Sequence, residues 1–184
     1  MNRIPIFVWF LAPTLIIVAI GAWFLTSNPM GVQNQDNPET LSAVSNPIAG
    51  TEEFTIAGRE HIAEGTKSTN YNSNPPTSGS HWAAPANKGI YDQALPDERI
   101  LHNLEHGYIW ISYKPEISPE VINNIKNIVN EDDWKIVMAP RAENDSQITL
   151  AAWGRLLKMN EPDYQKIKDF IETYRNRGPE KTPD

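Results

Sequence analysis

The 184-residue chain has no cysteine, which removes disulfides, thiolate nucleophiles and cysteine-based zinc knuckles from consideration. Its formal charge is −7, and after the first thirty residues fifteen Lys and Arg face twenty-three Asp and Glu. That balance argues against general nucleic-acid binding, which needs a basic footprint, and is compatible with a surface that attracts cations.

From Pro5 to Thr26, "PIFVWFLAPTLIIVAIGAWFLT", 22 residues pass without a charge, enough to cross a hydrocarbon core as a helix. Trp9 and Trp23 lie toward the two ends, as interfacial anchors do, and Pro13 is a kink that a membrane helix tolerates. A cleaved signal peptide is the competing expectation. The run is long for one, however, and no small-x-small site follows it. Residues 1–26 are therefore predicted to be an uncleaved transmembrane anchor. Arg3 precedes the span and Asp36 and Glu39 follow it, so the N-terminus is expected in the cytoplasm and the bulk outside the cell membrane. Residues 27–51 are rich in Asn, Pro, Ser and Gly without an apolar period and read as a flexible linker. Residues 52–184 are expected to form one α+β domain.

The first half of that domain, to about Leu101, reads as loops and short strands. The second half is more regular. Tyr108–Tyr113 is predicted to be a strand. Ser118, Pro119 and Glu120 supply an N-cap, a proline at the first helical position and an acid in the first turn. Val121, Ile122, Ile125, Ile128 and Val129 then repeat at helical spacing to about Asn130. Trp134–Ala139 and Ile148–Trp153 read as strands, and Asn160–Arg175 as a second helix with Tyr164, Ile167, Ile171 and Tyr174 on one face. The order predicts a small, mostly antiparallel sheet with two helices on one face, of ferredoxin-like flavour.

The four histidines, His61, His81, His102 and His106, all fall in the loop-rich half or at its end. His102 and His106 are four apart, and on a helical turn ending at Gly107 both imidazoles would share a face, as two ligands of one metal do. The spelling H-x-x-E-H also matches the inverted zinc-protease motif, but that motif needs a long helix and "YIWISY" follows as a strand. Glu105 is read as a ligand, as an acceptor orienting an imidazole, or as a buried partner of Arg99 or Arg141. In "YNSNPPTSGSHWAAP" two prolines and Gly79 stiffen a turn that could aim His81; a tight surface turn is the plainer reading. Ser78 or Ser80 as a nucleophile lacks a G-x-S-x-G elbow. Met138, ending an apolar strand, is a candidate soft axial ligand or simply core.

"NPPTSGSH", "LHNLEHGYIWISY", "VMAP", "AAWGR" and the terminal "FIETYRNRGPE" together resemble the domain-of-unknown-function family 3105, over roughly Phe54 to Glu180. The resemblance implies a small, often membrane-anchored prokaryotic domain. Its motif positions fall on Pro75, Pro76, Thr77, Ser78, Gly79 and His81, then on His102, Leu104, Glu105, His106 and Gly107, with His61 upstream. Ser80 stands where the family usually has proline.

The leading expectation is a transition-metal site of His81, His102 and His106, with His61 as a fourth ligand and Glu105 and Met138 supplementing it. Copper is favoured and zinc close behind. The expected role is metal capture or delivery, with the membrane as one partner, a metal-receiving or membrane protein as another, and no nucleic acid. The alternatives are a metal-assisted hydrolase with Glu105 as general base, and a non-catalytic interaction module whose histidines are structural.

Overall fold

The computed structural model describes residues 41–183, which fall within one compact unit. The predicted anchor and most of the predicted linker lie outside the described residues. Among the described residues no helix is long and apolar enough to cross a membrane.

Among the described residues the fold is α+β, with three helices and a mostly antiparallel six-stranded sheet. Its elements are β1 (Thr51–Glu53), β2 (His61–Ile62), β3 (His81–Trp82), β4 (Gly89–Ile90), α1 (Asp97–Glu105), β5 (Ile109–Tyr113), α2 (Pro119–Glu131), β6 (Ile136–Pro140), β7 (Ile148–Ala152), β8 (Arg155–Met159) and α3 (Tyr164–Tyr174). The sheet order is β1-β8-β7-β5-β6-β4, while β2 and β3 form a separate parallel pair. The pairs from β1 through β5 are antiparallel; β5–β6 and β6–β4 are parallel.

Side chains alternate across a strand, so each central strand feeds two cores. Ile109, Ile111, Met138, Ile148, Leu150 and Leu157 point to the face covered by α2 and α3. Trp110, Val137, Ala151 and Leu156 point to the other face, where Ile100, Leu101 and Leu104 of α1 cover them. This explains why "IWISY" shows no in-out alternation of apolar and polar residues: all five are buried, Ser112 included. The two predicted helices do share a face. Ser118 caps α2 by accepting from the Val121 N–H at 3.3 Å, and Asp163 caps α3 by accepting from the Lys166 N–H at 3.0 Å.

Four expectations need correction. The ferredoxin-like pattern splits its βαβ unit with an inserted strand. Here β5 and β6 are direct parallel neighbours, and β7 joins the opposite edge of β5. Next, the other face is covered rather than bare, because α1 is a nine-residue helix and not a single turn. Strand β8 lay hidden in what reads as a connection, since Arg155 and Lys158 interrupt its apolar pattern; only Trp153 and Gly154 separate it from β7. Finally, the folded domain begins by Leu41 rather than at residue 52. Leu41, Val44 and Ile48 are partly buried against the two cores, and the Ile48 N–H donates to the Tyr174 hydroxyl at 3.1 Å. Scattered apolar residues in an Asn/Pro/Ser-rich stretch have no period to reveal them.

Candidate metal centre

α1 begins after Pro96 with Asp97 and Glu98 in its first turn, and it ends in a reciprocal carbonyl cap. Gly107, at φ +81°, donates to the Leu104 carbonyl at 2.9 Å, and Tyr108 donates to the Asn103 carbonyl at 3.0 Å. Asn103 fastens the helix sideways to Ala86, accepting from its N–H at 2.9 Å and donating to its carbonyl at 2.8 Å. His102, Glu105 and His106 thus leave one side of a short, rigid helix.

The PPTSG loop supplies the opposing wall. Pro75 to Gly79 are buried, so the surface-turn reading does not hold. The Gly79 N–H donates to the Gly58 carbonyl at 2.8 Å, the Ala57 N–H to Ser78 Oγ at 2.9 Å and the Gly154 N–H to the Thr77 carbonyl at 3.0 Å. Ser78 and Ser80 are committed to loop contacts, with Ser80 Oγ donating to Glu60 at 3.3 Å, and neither has a histidine base at hydrogen-bond distance. The parallel pairing of β2 with β3 sets His61 directly beside His81.

The result is a convergence of His61, His81, His102 and Glu105, whose potential ligand atoms all lie within 4.8 Å of one another; this group could hold a metal ion. The ring centroids of His61, His81 and His102 are 5.0–5.2 Å apart. His81, His102 and Glu105 are buried, while the side chain of His61 keeps 48% of its exposure and forms the solvent-facing side.

Hydrogen bonds fix the ring orientations. A carbonyl can only accept, so His81 Nδ1–H donates to the Gly79 carbonyl and His102 Nδ1–H to the Trp82 carbonyl, each at 2.8 Å. Both Nε2 atoms are thereby turned into the cluster. His81 Nε2 meets Glu105 Oε2 at 3.1 Å, and His61 Nε2 stands 3.8 Å from the same oxygen. Because Nδ1 already holds a proton, Nε2 can face a carboxylate only by carrying a second proton or by sharing a cation with it.

The electrostatics follow. Burial alone would lower the His81 pKa, but the Glu105 hydrogen bond, the Gly79 carbonyl and the charges of Glu105 and Glu180 outweigh it and raise the group above its ordinary range. For Glu105, burial opposes the charge, yet His81 and the neighbouring histidines prevail and hold the carboxyl below its usual range. His102 is pushed down by burial; the Trp82 carbonyl offsets part of this and the other three histidines add to it.

Other candidates fall elsewhere. Met138 is fully buried in the core beneath α2 and α3, on the face of the sheet away from α1, and is core rather than a ligand. His106 is beside the cluster, with its Nε2 3.0 Å from His102 Nε2. Glu105 pairs with neither arginine: Arg99 pairs with Glu64, and Arg141 with Asp97. Two residues escaped the sequence reading. Trp153 places its ring edge-on to His81 at 6.3 Å, and Glu180 stands 3.4 Å from His106 Nε2. The terminal "GPE" of the resembling stretch was the available signal for Glu180.

The family model described as "Protein of unknown function (DUF3105)" matches residues 61–184. The chain belongs to this family. The DUF3105 match begins at His61 itself, so it takes in the whole candidate centre and Glu180. No curated protein and no solved structure matches the chain.

Gly79, at φ +122°, is in a region that L-residues resist, and an added Cβ would sit 2.9 Å from Tyr71 Cδ1. Gly79→Ala should cost about 1–3 kcal/mol in urea unfolding and weaken metal binding by displacing the carbonyl that orients His81. Unchanged stability and unchanged affinity would mean that the loop does not position the ring.

Proposed function

We propose that this protein is a membrane-anchored, extracytoplasmic domain that captures or delivers a divalent transition metal through His61, His81, His102 and Glu105. The observation supporting this is the use of the imidazole nitrogens. Histidines that only tied loops together would have no need to converge. His81 and His102 each commit Nδ1 to a backbone carbonyl and aim Nε2 at a shared centre that contains a carboxylate oxygen.

Three imidazoles and one carboxylate suit zinc, with copper(II) next. A copper(I) preference would want a soft sulfur, and Met138 is on the far side of the sheet. The hydrolase reading has less support, because Glu105 Oε2 is one of the converging donors and would bind the ion rather than activate a water beside it.

The test is direct. The full chain, stripped with a chelator and dialysed against zinc or copper(II) at neutral pH, should retain about one ion per chain by elemental analysis. Protein that stays metal-free with both ions would end the reading.

The topology rests on the uncharged run from Pro5 to Thr26 and on Arg3 before it. Protease added outside spheroplasts should release the domain by cutting between residues 27 and 40. Protection of the domain would reverse the orientation, and a mature chain beginning after residue 26 would mean a signal peptide.

A further inference from the structure

His106 stands at the rim of the metal centre, between its core and the surface. Its Nε2 is 3.0 Å from His102 Nε2 and 3.4 Å from Glu180 Oε2, and its Nδ1 is buried without a hydrogen-bond partner. His102 Nδ1–H is committed to Trp82 and burial favours the neutral ring, so its Nε2 accepts and the proton between the two facing nitrogens is on His106.

Two donors that share one ion through bonds of roughly 2.0–2.1 Å stand about 2.9–3.4 Å apart, for angles between a right angle and the tetrahedral value. The His102–His106 pair at 3.0 Å and the His81–Glu105 pair at 3.1 Å both meet that spacing. His102 is thus a member of the inner group and also half of an outer pair.

Glu180 is held at this rim by the C-terminal segment, which crosses the end of α1. The Asn176 N–H donates to the Gly107 carbonyl at 2.7 Å and the Glu180 N–H to the Glu105 carbonyl at 3.1 Å. Lys135 Nζ gathers the His106 carbonyl at 2.8 Å, Asn176 Oδ1 at 3.2 Å and the Thr182 carbonyl at 2.9 Å. The Glu180 side chain nevertheless keeps 49% of its exposure, so a carboxylate reaches solvent from a fixed backbone next to a nearly buried imidazole.

We propose that Glu180 and His106 form a transfer station through which the ion enters and leaves the inner site. The inference rests on the metal-binding reading above. The ion is met at the surface by Glu180 and His106, is next shared by His106 and His102, and then settles among His61, His81, His102 and Glu105. At each step a bond to the next donor forms before the bond to the last one breaks, so the ion is never stripped bare. No electron moves. As the ion arrives, His106 changes tautomer: the Nε2 proton leaves to solvent past Glu180 and Nδ1 takes one up, so the ring stays neutral with Nε2 free to bind, and the exchange reverses when the ion moves on. Half-exposed His61 offers a competing route, and the experiment separates the two.

The full chain is loaded with zinc, its affinity is measured by chelator competition, and uptake and release are followed by stopped flow with a chromogenic chelator. His106→Ala and Glu180→Gln should slow uptake and release together by tenfold or more, with affinity changing less than about threefold. Glu180→Asp should recover part of the rate, which a merely structural role of Glu180 would not produce. Unchanged rates would overturn the proposal in favour of passage by His61. A loss of affinity as large as that of His81→Ala would also overturn it, making His106 a resident ligand. Wild-type protein that takes up no zinc at the outset would instead sink the metal-binding reading itself.

Discussion

His81→Ala and His102→Ala should each lower zinc affinity by more than 100-fold, or more than about 2.7 kcal/mol, exceeding the 10–100-fold that follows loss of a group merely orienting a ligand. Both rings are buried with Nε2 aimed at Glu105 or its neighbours, so truncation removes a donor that water cannot replace in place. Glu105→Gln keeps the shape and removes the charge; it should cost at least tenfold and also release His81 from its raised pKa. The pH dependence has a definite sign. His81 titrates above its ordinary 6.5, so at pH 6.5 the metal-free protein holds more than half a proton there, and zinc must expel it. Affinity should therefore rise with pH through and beyond 6.5 and level off above the folded-state pKa of His81. Calorimetry in buffers of different ionisation enthalpy should show the released proton in the wild type and less of it in Glu105→Gln. Affinity indifferent to pH and to His81→Ala would remove the site from this cluster altogether.

Arg141→Leu should lower Tm by roughly 6–12 °C, corresponding to about 2–4 kcal/mol. Arg141 grips Asp97 through two parallel bonds, Nε–Oδ1 at 2.9 Å and Nη2–Oδ2 at 2.8 Å. Its Nη1 donates to Asn74 Oδ1 at 2.7 Å and to Asn144 Oδ1 at 3.1 Å. One guanidinium thus joins the start of α1 to the PPTSG loop, the two segments that position three of the four proposed donors, His81, His102 and Glu105. The expected cost is below that of a fully buried pair because Asp97 keeps 22% of its side-chain exposure and can be rehydrated. Arg141→Lys should recover little, since an ammonium cannot reproduce the planar fork. Zinc affinity should fall only modestly, through a slackened loop, and well short of the loss in His81→Ala. A Tm within a degree or two of wild type would show that the two elements are held together by packing alone.

The local elements were legible in the sequence because their signals are local. The Ser118-Pro119-Glu120 start of α2, the apolar spacing of α2 and α3 and the β-branched run of β5 all act within a few residues. The His102-x-x-Glu105-His106 pattern offered a single helical turn ending at Gly107 as one reading, and left the rest of the nine-residue α1 unseen. What the sequence could not assign was which donors meet. That depends on contacts across long separations, such as the register that sets His61 against His81 and the loop that brings His81 to Glu105. The same holds for Met138, which has the right chemistry for a ligand. Alternation along β6 sends its side chain into the core under α2 and α3, while its neighbour Val137 faces α1. For Glu180 the "GPE" stretch was a signal without a place, since it is the C-terminal segment pinned by Lys135 that brings that carboxylate to His106. Periodicity and caps specify elements, because they are energies between neighbours in the chain. The site is made where those elements pack, and packing is settled by the burial of both sheet faces at once.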